Sequence, residues 1–127
     1  MKKMKRTQIA VFDFVEAECN HTAKKVREFF RENADVTEYT TMLEFTYSFV
    51  DRQDAGDPFD MVFIGIDNML GVETARNIRG ACMDCPMFIV SKVADYGIEG
   101  FRLHALDYLI KPVSSDWIKR AVMRTNH

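Results

Sequence analysis

Short apolar runs, each followed by a helical pattern, alternate along this chain of 127 residues. The clearest example is residues 58–79, where Met61, Val62, Phe63, Ile64 and Ile66 form a nearly continuous apolar run. Such a run is typical of a strand that is covered on both faces. Right-handed crossovers between parallel strands cover both faces of a sheet with helices. The alternation therefore predicts an α/β fold built on a parallel sheet.

Five strand and helix units can be placed along the chain. The predicted strands are 8–12, 35–39, the run that starts at Met61 and breaks off at Gly65, 87–90 and 105–110. The helical patterns that follow them begin near Glu16, Thr40 or Thr41, Val72, Asp95 or Tyr96, and Ser114 or Ser115. Gly80 is expected to end the third helix.

Composition limits the classes of protein to which the chain can belong. Apolar residues make up 47% and charged residues 28%, which favours a globular protein over a disordered one. We predict one domain over residues 1–127, with a basic tail at 1–7. No apolar run reaches the ~18 residues of a membrane span, so we expect a cytoplasmic protein without membrane contact. The formal net charge of -2 gives no general argument for binding nucleic acid.

The three cysteines, Cys19, Cys82 and Cys85, are too few and odd in number for a disulfide framework. Cys82 and Cys85 form a C-x-x-C pair. Zinc would require two more ligands at comparable spacing, and a redox pair would begin a helix rather than precede a strand. We therefore expect Cys82 and Cys85 to be reduced thiols in a loop.

Polar side chains follow several of the predicted strands. Asp13 follows the first strand, Ser91 closes the fourth, and Lys111 follows the fifth, while Gly65 lies at the end of the third. In open parallel sheets, sites form at the carboxyl ends of the strands, near the switch in strand order. Around a phosphorylatable carboxylate, such an acid holds a divalent cation, and the lysine and hydroxyl bond the phosphoryl oxygens.

With these residues the chain resembles a response-regulator receiver domain over nearly its whole length, and in particular receivers of the LytR/AgrA class. The segments that carry the resemblance are FDMVFIGI, GVETARNIR, PMFIVS and, most specifically, YGIEGFRLHALDYLIKPV. The resemblance implies a CheY-like, flavodoxin-like fold, a doubly wound (βα)5 arrangement with five parallel strands in the order 2-1-3-4-5. It also implies a cis peptide bond between Lys111 and Pro112.

The resemblance places Asp13, Ser91 and Lys111 in the family's acid, hydroxyl and lysine positions, but two positions depart from the pattern. Phe14 stands where a second acid normally binds magnesium, and Gly65 stands where the phosphoacceptor aspartate belongs. Glycine cannot form an acyl phosphate, and one acid is too few for Mg²⁺. We therefore expect a vestigial phosphorylation pocket with no catalytic residue and no cofactor. Lys111 is expected to pair with Asp13, and Ser91 to cap the loop after the fourth strand.

Two nearby acids provide alternatives. Asp67 lies in a loop about two residues shorter than the family's, and it could swing towards the pocket as a substitute phosphoacceptor. It could equally be a turn residue beside Asn68. Glu16 could replace the missing acid, although acids are expected in the first turn of a helix in any case. If a metal binds, Asp13 and Asp67 are the expected ligands.

The resemblance implies a role in two-component or phosphorelay signal transduction. We expect a regulatory module, not an enzyme, that works without aspartyl phosphorylation, such as the receiver part of a LytTR-type transcription regulator. A protein partner or a second copy is expected on the face of the fourth helix, fifth strand and fifth helix, which carries Tyr96, Phe101, Arg102, Tyr108, Lys119 and Arg120. Tyr108 holds the position of the family's aromatic switch.

Other functions remain as alternatives. A conventional receiver would use Asp67 as phosphoacceptor with Mg²⁺. A flavodoxin-like enzyme or nucleotide binder would need a phosphate-cradling loop after the first strand, but residues 13–16 carry acids and no glycine. Direct nucleic-acid binding by this domain is not expected, because neither a helix-turn-helix pattern nor a basic and aromatic surface is evident.

Overall fold

The computed structural model describes residues 5–125. Its strands are β1 (Thr7–Phe12), β2 (Ala34–Tyr39), β3 (Met61–Gly65), β4 (Met87–Ser91) and β5 (Asp107–Ile110). They form one sheet in the order β2-β1-β3-β4-β5, and all neighbouring strands are parallel. The predicted fold class and strand order are confirmed.

Helices connect and follow the strands as α1 (Glu16–Phe30), α2 (Met42–Asp54), α3 (Met69–Ala81), α4 (Gly97–Arg102) and α5 (Ser115–Met123). Predicted hydroxyl caps begin two of them. The Thr41 side chain accepts a hydrogen bond from the Glu44 amide at 3.3 Å, and Ser114 accepts one from the Trp117 amide at 3.3 Å. Within residues 5–125, every helix is too short or too polar to cross a membrane.

The sheet is buried on both faces, as the continuous apolar runs predicted. Successive residues of a strand point to opposite faces. Thus Ala10 and Phe12 of β1 join the core under α2 and α3, whereas Ile9 and Val11 join the core under α1 and α5. All of β3 is buried, which explains why its sequence does not alternate.

Several bounds differ from the predicted ones. Helix α3 continues through Gly80, since a Cβ there would meet open space and nothing forces the chain to turn. Strand β5 begins at Asp107, because the Ala105 amide instead bonds the Gly100 carbonyl at 3.0 Å and closes α4. Strand β1 already includes Thr7. Of the predicted basic tail, residues 1–4 lie outside the described residues.

Arg79 is a buried cation that the sequence pattern did not predict. Its side chain is 7% exposed, and its hydrogen bonds go to five backbone carbonyls: those of Leu103 at 2.8 Å, Cys85 at 2.8 Å, Met83 at 3.0 Å, Cys82 at 3.1 Å and His104 at 3.5 Å. These bonds join the end of α3 to the loop before β4 and to the end of α4.

The cysteines are free thiols, as expected. Burial raises the pKa of Cys19 to about 11 and that of Cys85 to about 12. Both thiols are therefore protonated and unreactive at neutral pH. The peptide bond between Lys111 and Pro112 is cis, as the resemblance implied.

Candidate functional site

The predicted pocket residues meet at the carboxyl ends of the central strands. Asp13 follows β1, Ser91 ends β4, and Lys111 follows β5. The Lys111 Nζ lies 2.6 Å from the Asp13 Oδ2, and the two side chains are only 6% and 7% exposed. The pair expected between Lys111 and Asp13 is therefore present at the centre of the pocket.

Asp67 also enters this pocket. Its Oδ2 lies 2.6 Å from the Lys111 Nζ, while its Oδ1 accepts hydrogen bonds from the Ser91 hydroxyl at 3.1 Å and the Lys92 amide at 2.7 Å. Of the two placements open for this residue, the structure has the one that swings inward. The neighbouring residue Asn68 takes the turn position instead. Its side chain caps α3 by accepting a hydrogen bond from the Gly71 amide at 3.1 Å.

Two glycines make room for this arrangement. A Cβ at Gly65 would overlap the Oδ2 and Cγ of Asp13, so the Asp13 carboxylate fills the space of the absent side chain. At Gly71, a Cβ would lie 2.9 Å from the Ile66 Cα and 3.0 Å from the Gly65 carbonyl oxygen. The first turn of α3 therefore lies directly on the end of β3, which the short loop requires.

Glu18 is a pocket residue that the sequence analysis missed. Its Oε1 lies 3.3 Å from the Lys111 Nζ and 3.4 Å from the Lys92 Nζ, and its side chain is 20% exposed. Glu16, the residue named above as a replacement for the missing acid, is exposed. Because α1 begins at Glu16, its third residue faces the pocket. Combining the helix start with the position of Asp13 could have identified Glu18.

Hydrogen bonds and charge set the protonation of the pocket. Burial by itself would raise the pKa of Asp67, but hydrogen bonds from Lys111 and the Lys92 amide outweigh it, and the pKa lies below its ordinary value of 3.8. Burial would lower the pKa of Lys111, but hydrogen bonds to Asp13 and Asp67 outweigh it, and the pKa lies above 10.5. At neutral pH the carboxylate of Asp67 and the ammonium of Lys111 are both charged.

The pocket contains oxygen donors of the kind that Mg²⁺ prefers. Carboxylate oxygens of Asp13, Glu18 and Asp67 lie within 4.8 Å of one another. However, the Lys111 Nζ lies within 3.3 Å of an oxygen from each of them. Phe14 adds no oxygen, and its ring packs against Phe12 at a centroid distance of 4.9 Å. An ion would have to displace the lysine ammonium, so these residues as arranged fit Mg²⁺ poorly.

A chain of hydrogen bonds leads from the pocket to α4. The Ser91 hydroxyl accepts from the Val93 amide at 3.3 Å, which is the loop-capping role expected of it. The Tyr108 hydroxyl donates to the Val93 carbonyl at 2.6 Å and accepts from the Tyr96 amide at 3.3 Å. Tyr108 and Tyr96 therefore lie on one network with the pocket. Phe101 lies outside it, with 83% of its surface exposed.

Comparison with known proteins supports the receiver resemblance at the level of the fold. No family model matches the chain. The sensory transduction protein LytT of Oceanobacillus iheyensis is 38% identical over 56 residues, which cover 42% of this chain and 23% of that protein. The chain thus matches less than a quarter of the length of this curated relative.

Solved receiver structures superpose on nearly the whole chain. A response regulator from Thermotoga maritima has a TM-score of 0.76 at 20% identity, covering 96% of this chain and 99% of that one. The BeF3-activated receiver domain of DrrB, also from Thermotoga maritima, has a TM-score of 0.70 at 21% identity, covering 95% and 97%. The chain therefore has the fold of response-regulator receiver domains, and the short match to LytT agrees with a resemblance to the LytR/AgrA class.

Proposed function

We propose that this chain is an atypical receiver module of two-component or phosphorelay signal transduction that regulates without phosphorylation of an aspartate. It is a single regulatory domain in the cytoplasm and not an enzyme, and it serves as the receiver part of a LytTR-type transcription regulator. The fold, the short match to LytT and the pocket geometry support this proposal.

The observation that carries the proposal is the packing at Gly65. This residue occupies the family's phosphoacceptor position, and the space that a side chain would need there holds the Asp13 carboxylate. Asp13 in turn is held by Lys111 and by the Val15 amide, which donates to its Oδ1 at 3.0 Å. The Asp13 carboxylate thus fills the space that a phosphoacceptor side chain would need at this position.

The proposed module uses no Mg²⁺. The ammonium of Lys111 lies between the carboxylates of Asp13 and Asp67, where a divalent ion would have to bind, and Phe14 has no oxygen to offer in place of the second acid of the family's pair. A buried lysine in direct contact with carboxylates is a costly group to displace, because the ammonium would lose its partners in a low-dielectric site.

A second candidate function is phosphorylation at Asp67, which its contacts with Lys111 and Ser91 favour. The same contacts argue against it. Both Asp67 oxygens already use the donors that would have to hold the phosphoryl oxygens. Phosphorylation would also add negative charge next to Asp13 and Glu18 without a metal to neutralise it.

We propose that the module acts through a protein partner or a second copy on the face formed by α4, β5 and α5. Phe101 offers a large exposed apolar surface on α4. On the adjoining elements, Arg120 of α5 pairs with Asp107 of β5 at 2.9 Å, which fixes α5 against the sheet edge. With a formal net charge of -2, the chain gives no excess of positive charge for binding nucleic acid or a membrane by itself.

Beryllofluoride in the presence of Mg²⁺ tests the proposal, because it mimics a phosphoryl group on an aspartate. We expect the backbone amide resonances of Lys92 and Val93 to remain unchanged on titration. The DrrB receiver, which is known in a BeF3-activated form, provides the positive control. Saturable shifts of these two amides that disappear in Asp67→Ala would instead establish Asp67 as the phosphoacceptor.

A further inference from the structure

We infer that Asp67 is a resident anion of this pocket. Its carboxylate binds the hydrogen-bond donors that would otherwise hold a phosphoryl group, and it thereby holds the hydrogen-bonded path from the pocket to Tyr108 in one conformation. This inference rests on the proposed function, because it requires that Asp67 is not itself phosphorylated.

The first step is the donor set around Asp67. Its carboxylate receives a hydroxyl, a backbone amide and an ammonium, supplied by Ser91, Lys92 and Lys111 at 3.1, 2.7 and 2.6 Å. Together these donors match an oxyanion: one lies on Oδ2 and two lie on Oδ1. Charge-assisted hydrogen bonds of this kind are the strong ones in proteins. The donors are therefore satisfied by a group of the chain itself.

The second step is the direction in which the Ser91 hydroxyl points. A serine hydroxyl has a single proton to donate. Because Ser91 donates that proton to Asp67, its oxygen remains free to accept from the Val93 amide, which it does at 3.3 Å. The Asp67 anion thus orients the hydroxyl that caps the loop after β4.

The third step connects this loop to the proposed interaction face. The carbonyl of Val93 accepts the Tyr108 hydroxyl proton at 2.6 Å, and the Tyr108 oxygen accepts from the Tyr96 amide, directly before α4, at 3.3 Å. The Tyr108 ring lies against Gly100 of α4, where an added Cβ would be 3.5 Å from its Cδ2. Hydrogen bonds through Asp67, Ser91, Val93 and Tyr108 therefore connect the pocket to α4.

The remaining charges around the pocket support Asp67 as the resident anion. Asp13 directs its oxygens to Lys111 at 2.6 Å and to the Val15 amide at 3.0 Å. The Glu18 carboxylate pairs with Lys111 and Lys92, at 3.3 Å and 3.4 Å. Among these acids, Asp67 is the one that reaches the hydroxyl and the amide of the loop after β4.

Removal of the carboxylate should convert the pocket into a site for a small carboxylate ion. In Asp67→Ala, the Ser91 hydroxyl and the Lys92 amide lose the Asp67 acceptor, and Lys111 loses one of its carboxylate partners. Formate has the size and charge of the deleted group. We expect the amide resonances of Lys92 and Val93 and the ring resonances of Tyr108 to shift in the variant. Sodium formate should return them towards their wild-type positions in a saturable manner, whereas sodium chloride at equal ionic strength should not.

The wild type and the variant Asp84→Ala serve as controls. Wild-type resonances should not respond to formate beyond the chloride effect, because Asp67 fills the site. Asp84→Ala, which removes an exposed carboxylate before β4, should behave as wild type. Unchanged Lys92, Val93 and Tyr108 resonances in Asp67→Ala would overturn the inference, as would a saturable formate response in the wild type.

The experiment remains decisive if Asp67→Ala does not fold. The formate titration of the wild type does not depend on that variant. A second variant, Asp67→Asn, keeps an acceptor for Ser91 and Lys92 but removes the negative charge that pairs with Lys111. We expect smaller shifts of the same amides in Asp67→Asn, and no shift there would contradict the inference. Failure of the proposed function looks different, since it would be seen as phosphorylation or beryllofluoride binding at Asp67 in the wild type.

Discussion

At the scale of single residues, the pocket is determined by the absence of a side chain at Gly65 and by the carboxylate of Asp67. The space beside Gly65 belongs to Asp13, and the two strongest partners of Lys111 are Asp13 and Asp67. The sequence allowed the residues at the strand ends to be predicted, because parallel strands bring their carboxyl ends together. It did not determine the inward swing of Asp67, because that depends on the path of a short loop rather than on residue type.

A substitution at Gly65 tests the packing against Asp13. Gly65→Ala should destabilise the fold by about 1–3 kcal/mol, because its Cβ forces the Asp13 carboxylate away from Lys111. Gly80→Ala is the matched control, since its Cβ meets open space within α3, and it should stabilise by about 0.5–1 kcal/mol. Urea unfolding measures both. A Gly65→Ala protein as stable as the wild type would show that Asp13 is not fixed there.

The ion pair of Asp67 should make stability depend on pH. Because the folded-state pKa of Asp67 is lowered, its contribution is present above the ordinary value of 3.8 and is lost as pH falls through the folded-state value. Asp67→Asn should therefore unfold more readily than wild type by about 1 kcal/mol at neutral pH, with the difference shrinking below pH 3.8. Unfolding free energies at several pH values measure this difference. A difference that is constant with pH would contradict the charged state assigned to Asp67.

At the scale of elements, the alternation of apolar runs and helical patterns was enough to predict the five strands and five α-helices of residues 5–125, but neither all of their bounds nor the short 3-10 helix Arg31–Asn33 that follows α1. Gly80 did not end α3, because its position on the exposed side of a helix imposes no turn. The apolar residues Ala105 and Leu106 resembled the start of a strand, yet β5 begins after them. Such bounds depend on which backbone groups find partners, and a residue pattern does not record this.

Arg79 shows how elements are joined by contacts that pattern analysis does not detect. Arg79→Met should destabilise the protein by about 2–4 kcal/mol, because the buried carbonyls of the loop before β4 and of the end of α4 lose their donor. The matched control is Arg76→Met on the exposed side of the same helix, which should change stability by less than about 0.5 kcal/mol. Thermal or urea unfolding distinguishes the two. Equal effects would mean that the Arg79 bonds add little to stability.

At the scale of the whole molecule, a receiver fold carries, at the carboxyl ends of its strands, a pocket that is filled by its own side chains. The face of α4, β5 and α5 is the proposed interaction surface, and Phe101 is its most exposed aromatic residue at 83%. Phe101→Ser should weaken self-association about tenfold or more if a second copy is the partner. Leu43→Ser on α2, where Leu43 is 63% exposed, is the control and should have no effect. Sedimentation across a concentration series measures both. Equal association of Phe101→Ser and wild type would exclude this face for a homodimer.

The intact mass of the protein after incubation with acetyl phosphate and Mg²⁺ shows whether any residue of the pocket accepts a phosphoryl group. We expect the wild type to keep its unmodified mass under conditions that phosphorylate a conventional receiver domain. We also expect Asp67→Asn to keep its own unmodified mass under the same conditions. Stoichiometric addition of one phosphoryl group to the wild type, absent from Asp67→Asn, would contradict the account and make Asp67 a working phosphoacceptor.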